Sequence, residues 1–236
     1  EYDFDEIQAL LEHRMNEKLQ IIVYADATDV KQSNIGSEIL FVSSNNQTKV
    51  SGTTIFVYFD GNHQHLREQV REGIAAVYLN TMLFGANIQE IVQNAVMLNL
   101  PNWFKEGLVA YAGQTWNVER DNELRNILLS RRYKRFERFA DDFPRLAGQS
   151  MWYFISEKYG RPAVSNLLYL TRINRSVESG FLYVMDQSFQ SVVQEWEQFY
   201  RSRYESDIKG RQIPQSTQTV TLKKRKEQLP LTQLKL

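Results

Sequence analysis

Apolar residues recur along the chain with two different periods, and the change between them falls near Gly61. At the start, the stretch FDEIQALLEHRMNEKL has apolar residues three or four positions apart, which is the spacing of one face of an amphipathic helix. The next stretches are instead rich in β-branched and aromatic residues, a composition typical of strands. We expect strands over residues 19–25, 38–44 and 53–60, with a turn in SSNNQTKVSG between the last two.

Helical spacing dominates after Gly61. Gly160, which follows EKY, has the position of a helix C-cap, and Pro162 stands where the next helix would begin. A helix and a small N-terminal sheet followed by a mainly helical body define an α+β fold. We expect the helices of this body over residues 65–84, 87–98, 102–113, 120–132, 146–159, 162–173, 176–185 and 189–207.

Composition and charge limit the classes of function that this chain can have. Hydrophobic residues make up 42% and charged residues 24% of the 236 positions, so a packed core is expected. Lys plus Arg equals Asp plus Glu, 28 each, and this zero net charge gives no general attraction to nucleic acid or an anionic membrane. The chain has no cysteine, which excludes thiolate metal sites and disulfides. No apolar run reaches the ~18 residues that a transmembrane helix needs.

The two ends of the chain suggest a segment of a longer protein. It opens on EYDFDEI without an initiator Met, which indicates processing or trimming. The last stretch is polar, has the basic run KKRK at 223–226, and ends in the alternating LPLTQLKL. We expect one domain over residues 1–208, with the helix and sheet in 1–60 and the helical part in 61–208. Residues 209–236 are predicted to be a solvated linker and the first strand of a further domain.

Two segments have the layout of a metallopeptidase centre. In the H-E-x-x-H motif the two histidines lie on one helix face and bind one Zn²⁺, while the glutamate activates a water molecule. Here REGIA fills that place, with Arg71 and Ala75 at the histidine positions and Glu72 at the glutamate position. In the glutamate-type enzymes a carboxylate on a following helix is the third ligand, and WFKEG supplies Glu106.

On these residues the chain resembles the gluzincin clan, in particular the peptidase-MA-like domains of Gram-negative envelope proteins. The resemblance covers most of residues 1–207, and LPNWFKEGLVAY is its most specific part, together with TTIFVYFDG, GQSMWYFISEKYG and SFQSVVQEWEQFY. It implies a zincin-like architecture, with two helices meeting at a cleft below the sheet. It also implies a periplasmic or outer-membrane-associated location, and a β-propeller further along the same chain.

The metal-binding positions depart from the family pattern. Alanine has no ligand atom, and the guanidinium of Arg71 is a permanent cation that repels Zn²⁺. We therefore expect no metal and no cofactor. The predicted function is a catalytically inactive metallopeptidase-like domain, acting as a structural or protein-interaction module of a larger bacterial envelope protein. Because a buried carboxylate requires a partner, Arg71 is predicted to take the place of the metal and to bridge to Glu72 or Glu106.

Two enzymatic alternatives stay open, both of them hydrolases. In the first, which is metal-free, Glu72 and Glu106 act as general acid and base in the manner of glycosidases. In the second, a peptidase uses a shifted metal site around His65, which helical spacing places on one face with Gln69 and Glu72.

Aromatic residues near the degenerate motif predict a binding cleft. We expect Trp103, Glu106, Tyr111 and Trp116 to line it, as a platform for a peptide or a sugar, with core packing as the plainer interpretation. The strand TTIFVYFD is predicted to be the sheet edge that accepts an extended peptide by strand addition. The expected partner is a protein of an envelope assembly or an extended peptide. Nucleic acid is not expected, because acidic residues offset the basic ones in LLSRRYKRFERFADDF.

Overall fold

The computed structural model describes residues 2–32, 41–42, 48–85, 98 and 100–209. These residues form a helix, a small sheet and a mainly helical body in that order, so the predicted α+β fold class is confirmed. The predicted helix over residues 87–98, except for Leu98, and the predicted linker beyond Lys209 lie outside the described residues.

The helices of the described part follow the predicted order closely. α4 has the predicted bounds, and the predicted helices after it differ by a few residues at their ends. The helices are α1 (Tyr2–Leu11), α2 (Ala27–Gln32), α3 (His63–Phe84), α4 (Asn102–Gly113), α5 (Val118–Leu129), α6 (Phe136–Asp142), α7 (Pro144–Tyr159), α8 (Pro162–Asn174), α9 (Val177–Met185) and α10 (Phe189–Ile208).

The sheet has the strand order β1-β4-β3-β2, with β1 (Gln20–Tyr24), β2 (Phe41–Val42), β3 (Lys49–Ser51) and β4 (Thr54–Tyr58). β4 pairs in parallel with β1 on one side and antiparallel with β3 on the other. The prediction that TTIFVYFD forms the sheet edge is therefore wrong, because β4 has strand neighbours on both sides. Within the described residues the edges are β1 and β2.

Three elements were not predicted from the pattern. β3 lies within the stretch interpreted as a turn, and the chain returns into β4 through Gly52, whose φ of 57° is in the left-handed region that favours glycine. α2 follows β1 directly. α6 lies in the charged stretch before residue 143, where Phe136 and Phe139, three positions apart, are both buried.

α3 packs against the sheet at β4. The Asn62 side chain caps the helix by accepting hydrogen bonds from the main-chain N–H groups of Gln64 and His65. Gly73 lies so close to the Ile55 side chain that a Cβ there would overlap it. The buried Gln69 amide bonds both main-chain groups of Tyr58, accepting from its N–H at 3.1 Å and donating to its carbonyl at 3.0 Å. These contacts fix the rotation of α3 about its axis, and with it the directions of Arg71 and Glu72.

α4 and α7 cross at very short range and form the centre of the helical body. Gly107 and Gly148 face each other at the crossing, and the buried Trp152 indole donates to the carbonyl of Phe104 at 3.0 Å. Beside the crossing, aromatic side chains from four helices make ring contacts at centroid distances of 5.0 to 6.3 Å. They are Trp103, Phe136, Phe139, Phe181, Phe189 and Trp196. The segments WFKEG and GQSMWYF thus contribute to the core.

Candidate functional site

Arg71 ties α3 to α1 and to the end of α4. Its Nη1 donates to Asp3 Oδ1 and to Glu6 Oε2, each at 2.6 Å, and its Nη2 donates to the Ala112 carbonyl at 2.9 Å. The predicted bridge from Arg71 to Glu72 or Glu106 is therefore wrong. The physical reason is that neighbouring residues on a helix point about 100° apart, so Arg71 and Glu72 face different partners.

Glu72 pairs with Arg145, near the start of α7. The side chains are 3% and 9% exposed, and Arg145 Nη2 donates a hydrogen bond to Glu72 Oε1. Burial raises the pKa of the Glu72 carboxyl, and the Arg145 charge acts in the opposite direction. Gly113 at the end of α4 makes room for this pair, because a Cβ there would meet Glu72 Cγ at 2.5 Å. A hydrogen bond from a permanent guanidinium favours the ionised carboxylate.

The positive charge of Arg145 also acts on the carboxyl group of Glu106. Its Oε2 is buried and has no hydrogen-bond partner within the described residues, and burial raises the pKa of its carboxyl. The positive charge of Arg145 opposes that rise. Ala75, at the second histidine position, is 1% exposed and belongs to the hydrophobic core. Of the two carboxylates, Glu72 therefore holds the cation from α7 directly, and Glu106 is left without a hydrogen bond at Oε2 within the described residues.

Sequence reasoning missed Arg145. It is one of many arginines, it follows Pro144 at a helix start, and it is separated from Glu72 by 73 positions. The only available signal was indirect, since a buried Glu in a helix facing the core needs a cationic partner somewhere in the chain.

The residues present do not fit a zinc ion. Two of the three ligand positions carry Arg71 and Ala75, and Glu72 is already paired. The shifted site around His65 does not assemble either. His65 Nδ1 lies 2.6 Å from Asp60 Oδ2, and the Gln69 amide is committed to Tyr58. Among the residues the structure describes, no group of three or more His, Asp, Glu or Cys side chains has a geometry that could hold a metal ion.

The predicted cleft residues separate into two groups. Trp103 is 7% exposed and stacks on Phe189 at a centroid distance of 5.4 Å, so its position is in the core. Glu106 is not in the wall of the pocket that Tyr111 and Trp116 line. Tyr111 and Trp116, by contrast, lie in the wall of a pocket of about 310 Å³ between α1, α4 and α7.

Glu106→Gln is expected to stabilise the protein at pH 8 and to have little effect near pH 4.5. Because the folded-state pKa of Glu106 is raised above its ordinary value of 4.5, the wild-type carboxyl is most favourable when protonated. Its contribution to stability is fully present below the unfolded-state pKa and is lost as the pH rises through the folded-state pKa. The thermal midpoint Tm, measured by circular dichroism over this pH range, checks the result.

Glu137→Gln is the matched control for that measurement, because Glu137 is exposed and its salt bridge with Arg135 is long, at 3.4 Å. We expect its Tm difference from wild type to stay small at every pH. A Glu106→Gln protein that loses stability on going from pH 4.5 to 8, relative to wild type, would show that Glu106 has a strong cationic partner after all.

No family model matches the sequence, and no match to the chain was found among curated proteins or solved structures. None of the helices in the described part of the chain combines the length and the hydropathy that a bilayer span requires.

Proposed function

We propose that this chain is a catalytically inactive metallopeptidase-like domain, serving as a structural or protein-interaction module of a larger bacterial envelope protein. The observation that supports the proposal is the Glu72–Arg145 pair, with Glu106 close to the same guanidinium. In the resembled enzymes, carboxylates at these two positions serve a metal and its water. Here a permanent cation supplied by the chain pairs with Glu72.

The chemistry of the pair argues against hydrolysis. A general base must reach a water molecule, but Glu72 is 3% exposed and holds an arginine. A general acid and base of the glycosidase kind need two carboxyl groups facing the substrate from opposite sides. The buried and unpartnered Oε2 of Glu106 does not offer such access.

A role in protein interaction is consistent with the packing of α3 and α4 and with the pocket beside them. α3 is capped by Asn62 and packs against α4 although the ligand positions are lost, and a pocket remains beside the two helices. The periplasmic or outer-membrane location and a downstream β-propeller belong to the same proposal. They rest on the resemblance of LPNWFKEGLVAY to the peptidase-MA-like domains.

Metal analysis of the purified protein after incubation with excess Zn²⁺ and gel filtration tests the proposal. We expect well below one zinc per chain, and the same value for a His65→Ala variant. Stoichiometric zinc that is lost in His65→Ala would overturn the proposal in favour of a shifted-site peptidase.

Turnover on panels of peptides and glycans tests the metal-free alternative. We expect no hydrolysis above that of a matched buffer control. Hydrolysis that disappears in Glu106→Gln, with the fold intact by circular dichroism, would show that the carboxylates are catalytic and that the domain is an enzyme.

A further inference from the structure

β1 is an edge strand whose outer side has no strand neighbour within the described residues. On its inner side, the main-chain N–H of Gln20 donates to the chain just before β4, and the carbonyl of Tyr24 accepts from the chain just after β4. Main-chain groups of successive strand residues alternate in direction, so those of Ile21 and Val23 point away from β4. These two residues therefore present hydrogen-bonding groups that a further strand can use.

The same two residues expose apolar side chains on the core face of the sheet. In the parallel register Ile21 lies beside Ile55, and Val23 lies beside Val57. Ile55 and Val57 are fully buried on the face that α3 covers, whereas Ile21 is 42% and Val23 is 52% exposed. The apolar face of the sheet thus continues from β4 to β1, where it is open to solvent.

β1 also lacks the features that usually protect such an edge. Proteins protect exposed edge strands with charged side chains, above all lysine, with proline, or with a bulge. The sequence QIIVY has no charged residue and no proline, and the register with β4 skips no residue. An edge of this kind is suited to pairing with another strand.

We propose that β1 pairs antiparallel with β1 of a second copy of this chain, about a two-fold axis at Ile22, so that the two sheets join into one. In this register Ile21 of one copy lies opposite Val23 of the other, and their outward main-chain groups form the hydrogen-bonded pairs. All five residues of each strand are paired. A shift by two positions in either direction would leave part of each strand unpaired.

The charges that flank β1 favour a second copy over an unrelated strand. Lys18 lies two positions before β1 and Asp26 lies two positions after it, and both are exposed. The symmetric register therefore brings Lys18 of each copy beside Asp26 of the other. Hydrogen bonds from the main-chain N–H groups of Asp29 and Thr28 hold the pKa of Asp26 below its usual range, so this carboxylate is ionised at neutral pH. A two-fold interface requires such self-complementarity, because the same surface meets itself.

Sedimentation equilibrium of the purified 236-residue chain tests the proposal. We expect a reversible dimer with a dissociation constant in the micromolar range, because a pair of five-residue strands buries less than the roughly 1,200–2,000 Å² of a stable interface. Val23→Lys should weaken the dimer at least tenfold, since the charge enters the edge of both copies. Val118→Lys, at a position 75% exposed on α5, is the matched control and should leave the dimer unchanged. Circular dichroism checks that both variants keep the fold.

Reversing one flanking charge tests the register. Lys18→Glu places like charges beside each other at both ends of the joined strands, so we expect the dimer to weaken about tenfold. Raising the salt concentration should weaken the wild-type dimer and narrow the difference between the two proteins. Lys134→Glu makes the same change at an exposed position between α5 and α6, and should have no effect.

Cross-linking at the two-fold axis tests the geometry directly. The chain has no cysteine, so Ile22→Cys supplies a single thiol. Opposite residues of a non-hydrogen-bonded pair have Cα atoms about 4.5 Å apart, which is within the range that a disulfide spans. Oxidation with copper phenanthroline should convert Ile22→Cys into a covalent dimer, and should leave Val118→Cys largely monomeric.

Three results would each overturn the proposal: a monomer at every concentration up to the millimolar range, a dimer that Val23→Lys and Lys18→Glu leave intact, or equal cross-linking of Ile22→Cys and Val118→Cys. Neither the zinc assay nor the turnover assay depends on β1. A failure of the strand pairing is therefore distinguishable from a failure of the proposed function.

Discussion

Replacing Glu72 by glutamine is expected to lower the free energy of unfolding by about 3–5 kcal/mol, a large part of the roughly 5–15 kcal/mol that is typical of a domain. The change removes the negative charge that neutralises Arg145, whose side chain is 9% exposed. Glutamine can still accept a hydrogen bond, but it leaves a buried cation without a counterion. Urea denaturation followed by circular dichroism measures the loss.

A double variant tests whether the loss of stability comes from the unpaired charge on Arg145. Glu72→Met combined with Arg145→Met removes both charges and should recover most of the stability that Glu72→Gln loses, because apolar replacement of a buried pair is often neutral or better. Glu197→Gln is the control, since its pair with Arg201 is partly exposed and its loss should cost less than about 1 kcal/mol. Equal, small losses for Glu72→Gln and Glu197→Gln would mean that water reaches Arg145.

The fold was predictable where the pattern is local. α4 begins and ends where the sequence indicated, because its periodic apolar positions, Pro101 before it and Gly113 at its end all lie within thirteen residues. Strand order was not predictable in this way. β1 and β4 pair across 34 positions, Gln20 with Thr54, and no local feature of TTIFVYFD distinguishes an interior strand from an edge strand.

The candidate site was only partly predictable for the same reason. Residue types indicated that Glu72 needs a cation, but the choice between Arg71 and Arg145 depends on how α3 is rotated against the sheet and where α7 crosses α4. The residue type of an aromatic side chain does not indicate how deeply the side chain is buried. Trp103 and Trp116 therefore look equivalent in sequence, although Trp103 is in the core and Trp116 is in a pocket wall. The two long-range hydrogen bonds from the Gln149 amide to the carbonyls of Ala110 and Gln114 have no sequence signature either.

Gly148→Ala is expected to destabilise the protein by about 3 kcal/mol or more, although alanine is the better helix former by about 1 kcal/mol. A Cβ at Gly148 would overlap the carbonyl oxygen of Trp103 and lie 2.6 Å from Gly107 Cα. Both obstacles are main-chain atoms of α4, so relief requires the two helices to move apart. That movement would loosen the aromatic contacts around Trp103 and the Trp152 bond to Phe104. Thermal and urea unfolding of the purified variant measure the cost.

Gly180→Ala in α9 is the matched control, because it makes the same chemical change in a helix against a different neighbour. Its Cβ would meet the side-chain oxygen of Thr171 at 2.5 Å, and a side chain can rotate where a main chain cannot. We therefore expect a smaller loss than for Gly148→Ala, with the gain in helix propensity offsetting part of it. If Gly148→Ala is instead as stable as wild type, α4 and α7 do not cross in van der Waals contact. Close contact with the main chain of Gly148 would then no longer explain why WFKEG has a glycine at position 107.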